Sequence, residues 1–195
     1  MTDQLPRGEA RRDAIADAAI RLVATQGLRG LTHRGVDVAA GLPPGSTSYY
    51  LRTRKALLTA CLDRMLALDA ATVVPSDHGA APLDLLVETM LHLSREQPER
   101  QVARYELALE ATREPEIRAV MDHHARQLRV ILARMLAQGG IRDADEASWP
   151  VAAMVDGLLR DRVTGLGATL TDAAFEASAR RALSALLRGL CLPED

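Results

Sequence analysis

A chain of 195 residues that is 48% hydrophobic suits one domain or two small ones and has enough apolar material for a real core. It has no run of about 18 apolar residues and no apolar h-region in the opening MTDQLPRGEARR, so neither a spanning helix nor a signal peptide is expected. The net charge of −2 hides an asymmetry: residues 1–60 carry nine Lys and Arg against five Asp and Glu, and the remaining residues fifteen against twenty-one.

A basic head on an acidic body points the head toward a polyanion. Cys61 and Cys191 stand far apart and outside any CxxC pair. They supply neither a disulfide framework nor a zinc site, and they suit a reducing cytoplasm, the expected location. Ala, Leu and Arg dominate and alternating β-branched runs are missing, which is an all-α composition.

In chain order, residues 1–10 read as a disordered arm, and Arg7, Arg11 and Arg12 are read as a tail rather than as an arm on DNA. A first helix is expected from Arg11, with Ile15, Ala18, Ala19, Leu22 and Val23 at helical spacing and Gly27 as its stop. Thr32 caps a short second helix in which Val36, Ala39 and Ala40 form one face. Gly41-Leu42-Pro43 breaks it, and Pro44 fits the first turn of a third helix reaching about Leu51. Thr53 caps a fourth, lined by Leu57, Leu58, Leu62, Met65, Leu66 and Leu68.

Residues 73–79 read as a linker. Helices follow from Pro82 or Leu83 to about Arg95, from Pro98 to near Glu114, from Glu116 to Gln138, from about Ala147 to Leu166 and from Thr171 to Gly189. Pro150 is compatible with the penultimate helix only where regular structure begins near Ser148 or Trp149, and it kinks the first turn otherwise.

Two short helices joined by a tight glycine-containing turn make a helix-turn-helix. In that motif the first helix braces on the phosphate backbone and the second offers side chains to base edges in the major groove. Gly45, Ser46, Thr47 and Ser48 supply small residues and short donors there. Only five residues of the chain are aromatic, yet Tyr49 and Tyr50 fall in this polar stretch, where hydroxyls suit phosphate and ring faces suit sugar or a thymine methyl. Arg52, Arg54 and Lys55 add positive charge at the start of the fourth helix.

On these residues the stretch resembles the DNA-binding domain of the TetR (tetracycline-repressor-like) family. Thr32, Val36, Ala40, Gly41, Leu42, Pro43, Gly45, Tyr50, Thr53, Leu57 and Leu58 match the family pattern, Ser46 stands close to its usual Thr, and Arg54 keeps the charge of its usual Lys. Three positions depart: Asp37 replaces the usual Ala, Ser48 a common Tyr and Leu51 a common Phe. A charge at position 37 is expected to be half-exposed or paired, with Arg34 as its candidate partner.

The resemblance implies an N-terminal three-helix DNA-binding domain, residues 1–52, and a larger helical ligand-binding and dimerisation domain, residues 53–195. It implies a homodimer through the last two long helices. The apolar stripes Val151, Val155, Leu158, Leu159, Val163, Leu166 and Phe175, Ala179, Ala182, Leu183, Leu186, Leu187, Leu190 suit either that interface or the chain's own core. A two-fold dimer places its reading helices roughly 34–36 Å apart on a pseudo-palindromic double-stranded DNA operator.

The candidate DNA contacts are Thr32, His33, Arg34, Pro44, Gly45, Ser46, Thr47, Tyr49, Tyr50, Arg54 and Lys55. Candidates for a small-molecule effector cavity are Met90, Tyr105, Glu106, Leu109, Glu110, Met121, Trp149, Met154 and Asp156, with core packing and surface ion pairs to Arg113 or Arg118 as the alternative. His123 and His124 point about 100° apart on a helix and His92 with Glu96 is a lone pair, so no metal, cofactor or catalytic residue is expected. The function expected is a one-component transcriptional repressor released by an effector. The alternatives are an activator, a regulator without a ligand, or an adaptor with a degenerate helix-turn-helix.

Overall fold

The computed structural model describes residues 7–72 and 81–190. Among these residues the regular structure is helical, with no strand. The helices are α1 (Arg7–Gly30), α2 (His33–Ala39), α3 (Ser46–Tyr50), α4 (Arg54–Thr72), α5 (Pro82–Glu96), α6 (Pro98–Glu110), α7 (Pro115–Gln138), α8 (Ala144–Thr164) and α9 (Asp172–Leu190), with a 3-10 turn at Leu166–Thr169. No helix of the described residues is long and apolar enough to cross a membrane. The expected linker at 73–79 and Cys191 lie outside the described residues.

The chain forms two compact units, one of residues 1–68 and 102–124, the other of residues 69–101 and 125–195. In the first unit Ile15, Ala18, Ala19 and Leu22 recur every three to four residues along α1, so one stripe goes inward. It meets Val36 of α2, Leu57, Cys61 and Met65 of α4, and Ala103 and Leu107 of α6, all buried. Each of the larger side chains among them, Val, Leu, Ile or Met, contributes about 1.5–3 kcal/mol by leaving water. Burial pushes the Cys61 thiol up to about 12, so this cysteine packs as a small apolar group.

Polar contacts fasten the same unit. The Arg64 guanidinium donates to Asp17 at 2.8 and 3.1 Å and to Asp13 at 2.9 Å, tying α4 to α1. Both ring nitrogens of buried His124 face acceptors, the Val120 carbonyl and the Asp63 carboxylate, each at 2.8 Å. α1 starts earlier than expected, its first turn taking up residues 7–10 of the expected arm. Gly27 breaks the helix where its stop was expected, at the non-helical angles φ 66°, ψ −175°, and a short separate turn follows it to Gly30.

In the second unit Leu86, Val87, Met90 and Leu93 of α5 pack with Met135 and Leu136 of α7, Val151 and Leu159 of α8, and Phe175, Ala179 and Leu183 of α9. Arg162 lies 5.2 Å over the Phe175 ring and donates to the carbonyls of Gly167 and Leu170, which closes the α8–α9 corner. α8 starts at Ala144, earlier than expected, so Pro150 is inside the helix rather than in its first turn. A proline there leaves the Glu146 carbonyl without its i+4 amide donor.

Candidate nucleic-acid interface

α2 begins where Thr32, extended at φ −123°, ψ 151°, accepts the Gly35 amide on Oγ1 at 3.0 Å. It ends in a Schellman turn. The Leu42 amide donates to the Asp37 carbonyl at 2.8 Å and the Gly41 amide to the Val38 carbonyl at 3.1 Å, with Gly41 at φ 63°. Pro43 and Pro44 then carry the chain to Gly45, whose φ of 90° lies in the region that glycine enters freely. The expectation that Pro44 sits in the first turn of α3 is corrected: Gly45 is the N-cap and Pro44 precedes it.

The interior of this motif differs from the expected face. α2 buries Val36 and Asp37, while Ala39 is exposed. Asp37 is 3% exposed and Arg34 is not its partner. Its Oδ2 accepts the Gly45 amide at 2.7 Å, and its Oδ1 accepts the Thr47 amide at 2.7 Å and the Thr47 hydroxyl at 2.6 Å. Burial alone works to raise this carboxyl's pKa, but hydrogen bonds from the Thr47 side chain, the Thr47 amide and the Gly45 amide outweigh it, so the group lies below its ordinary value.

Thr47 is therefore corrected as a base reader. Its side chain is fully buried and its hydroxyl is spent on Asp37. His33, expected beside phosphate, is half-buried and donates Nε2–H to the Leu51 carbonyl at 2.6 Å, tying down the far end of α3. The two tyrosines part company. Tyr50 packs against the core, and Tyr49 is 75% exposed with its ring set edge-on to Tyr50 at 5.1 Å. Ser46 is half-exposed and its hydroxyl donates to the Pro43 carbonyl.

Arg54 is exposed, but its fork turns back to α1, donating to the Leu31 and Leu28 carbonyls at 2.8 and 2.9 Å. Lys55 pairs at 3.7 Å with Glu116, both well exposed. Outward along the motif, among others, are Thr32, Arg34, Val38, Pro44, Gly45, Ser48, Tyr49 and Arg52. Ser48, one of the short donors expected on the reading helix, is exposed.

The candidate effector residues are dispersed. In the first unit Glu106 and Glu110 line one groove with Gln26, Leu28, Arg29, Arg54 and Arg113, and Glu110 pairs with Arg113 at 3.4 Å. Tyr105 and Met121 are half-buried there, and Leu109 is 60% exposed. In the second unit Met90 is core, Met154 is half-buried, Asp156 is exposed and Trp149 is 60% exposed. Leu109 and Trp149 are thus surface residues of their units.

A protein that is helical over its described residues, and whose short third helix is anchored from below and shows hydroxyls outward between exposed Arg34 and Arg52, is a helix-turn-helix DNA-binding protein. Residues 77–189 match the tetracyclin repressor-like C-terminal domain family. The HTH-type transcriptional regulator BetI of Rhizobium meliloti (strain 1021) is 29% identical over 153 residues, which cover 76% of this chain and 75% of BetI. A solved TetR-family member from Streptomyces coelicolor A3 is 29% identical with a TM-score of 0.72, covering 93% of this chain and 98% of that one. The multidrug binding protein EbrR, solved in complex with ethidium, is 29% identical with a TM-score of 0.67, covering 90% and 98%. The chain belongs to the TetR family and is a DNA-binding transcriptional regulator.

Proposed function

We propose that the chain is a repressor that leaves a pseudo-palindromic operator when a small molecule binds its helical body. The carrying observation is Tyr49, a large aromatic 75% exposed on a helix fixed at both ends. A side chain held out in this way is pre-organised for a partner. Residues 1–52 serve as the DNA-binding part and 53–195 as the regulatory part. The contacts we assign are Thr32, Arg34, Pro44, Gly45, Ser46 and Tyr49, with Lys55 and Arg54 supplying positive charge beside them.

The dimer is assigned to α8 and α9. Their inner rows, Val151, Leu159, Phe175, Ala179 and Leu183, are buried in the unit's own core. Their outer rows, Val155, Leu158, Leu186, Leu187 and Leu190, are only half-covered, and Leu166 is 85% exposed, which suits a second copy. An effector releases DNA only through unequal affinity for the two states of the protein. The similarity to EbrR, a multidrug binding protein solved with ethidium and with proflavin, supports a small organic molecule as the class of effector.

The test is fluorescence anisotropy on duplexes from the DNA flanking the gene, at low and moderate salt. The wild-type chain binds one of them far more tightly than random DNA. Tyr49→Ala weakens binding to every duplex by about tenfold and leaves helical content unchanged, because the side chain is mostly in water. No binding to any duplex at low salt contradicts the reading and favours an adaptor.

A further inference from the structure

We infer that Asp37 is the positioning residue of the DNA reader: its carboxylate holds α3 by two amides at the helix start and so fixes how that helix is presented to the groove. The inference rests on α3 being the segment that enters the groove. A five-residue helix has almost no stability of its own. Its geometry is set by what grips it, and at its start that grip is Asp37.

A helix leaves its first amides without internal partners, and such amides commonly receive an anion. Here the Gly45 and Thr47 amides already end on Asp37 at 2.7 Å, and the Ser46 amide ends on the Pro43 carbonyl at 3.1 Å. Of the first amides only that of Ser48 is left without an internal partner at this end. Exposed Pro44, Ser48 and Tyr49 are left to meet DNA.

Mere packing would not call for a charge in this place. A carboxylate 3% exposed is expensive to bury unless its oxygens are fully engaged. Three short charge-assisted bonds engage both oxygens, and bonds of this kind are directional. The same residue's carbonyl accepts the Leu42 amide in the α2 turn, so Asp37 fixes the turn and the reading helix together. Base reading depends on that register, whereas phosphate attraction tolerates its loss.

The experiment compares affinity for a duplex selected by the wild-type protein from a random pool with affinity for an unrelated duplex of equal length. Measurements are made well below each variant's melting temperature. Asp37→Asn keeps the shape but sets an amide group against at least one N–H donor, so the ratio of selected to unrelated affinity falls about tenfold. Thr47→Val removes only the hydroxyl bond and lowers the ratio about threefold. Hydrogen exchange at the Gly45 and Thr47 amides speeds up in Asp37→Asn. A wild-type ratio for Asp37→Asn, or an equal loss on both duplexes, overturns the inference. Tyr49→Ala separates the two readings: if it retains full affinity, the groove assignment of α3 fails, and if it loses affinity while Asp37→Asn keeps the wild-type ratio, the Asp37 inference fails alone.

Discussion

Replacing Arg54 by alanine tests whether this arginine is first a strut or first a phosphate ligand. Its guanidinium bonds the Leu31 and Leu28 carbonyls at 2.8 and 2.9 Å, both beyond the Gly27 bend of α1. The Leu28 carbonyl otherwise accepts only the Leu31 amide, at 3.3 Å, so a fork that takes both carbonyls fastens α4 to the chain just past the Gly27 break of α1. A hydrogen bond to a charged group contributes about 1.5–3 kcal/mol when sheltered. Arg54 is exposed and water replaces part of the loss, so about 1 kcal/mol for each bond, about 2 in all, is the working figure. With a urea slope of about 1–3 kcal/mol per molar, the unfolding midpoint falls by roughly 1 M. Circular dichroism against urea reads the midpoint. Arg54→Lys keeps the charge but not the fork, and its midpoint falls nearly as far. A phosphate ligand would instead lower the slope of log K against log salt by about 0.9. An unchanged midpoint in Arg54→Ala together with that smaller slope refutes the strut.

Three further outcomes follow from the structure. The Asp37 carboxyl titrates lower in the folded chain than in the unfolded one, so its stabilisation is present above the unfolded pKa and disappears as the pH falls through the lowered one; an acid titration followed at the Thr47 amide shows α3 loosening in that window, and no change there refutes the assignment. Gly45→Ala meets no neighbouring atom but keeps φ at 90°, so it costs about 1–2 kcal/mol of strain, read as a lower melting temperature and weaker DNA binding. Leu183→Ala, fully buried in the second unit, costs about 2–5 kcal/mol in a denaturant melt.

Much of the helix order is legible in the chain because capping residues and apolar spacing act locally. Thr32 and Thr53 cap their helices through Gly35 and Ala56, as their positions before the apolar stripes imply. Gly41 ends α2 in the left-handed conformation its neighbours cannot adopt easily. The boundaries that fall elsewhere than expected involve competing local signals. Pro150 reads as a start, but buried Ala144 and Ala147 draw earlier residues into α8.

The candidate site shows the same division. Composition and spacing alone place a hydroxyl-rich helix after a glycine turn with cations beyond it, because those residue types answer to the chemistry of phosphate and bases. Which of those groups face outward is decided by tertiary contacts. Asp37 turns Thr47 inward, Leu51 engages His33, and the α1 carbonyls draw back the fork of Arg54. A charged or polar side chain goes to whichever partner the folded backbone brings within hydrogen-bond reach, and no spacing along one chain records distances across ten or twenty residues of separation.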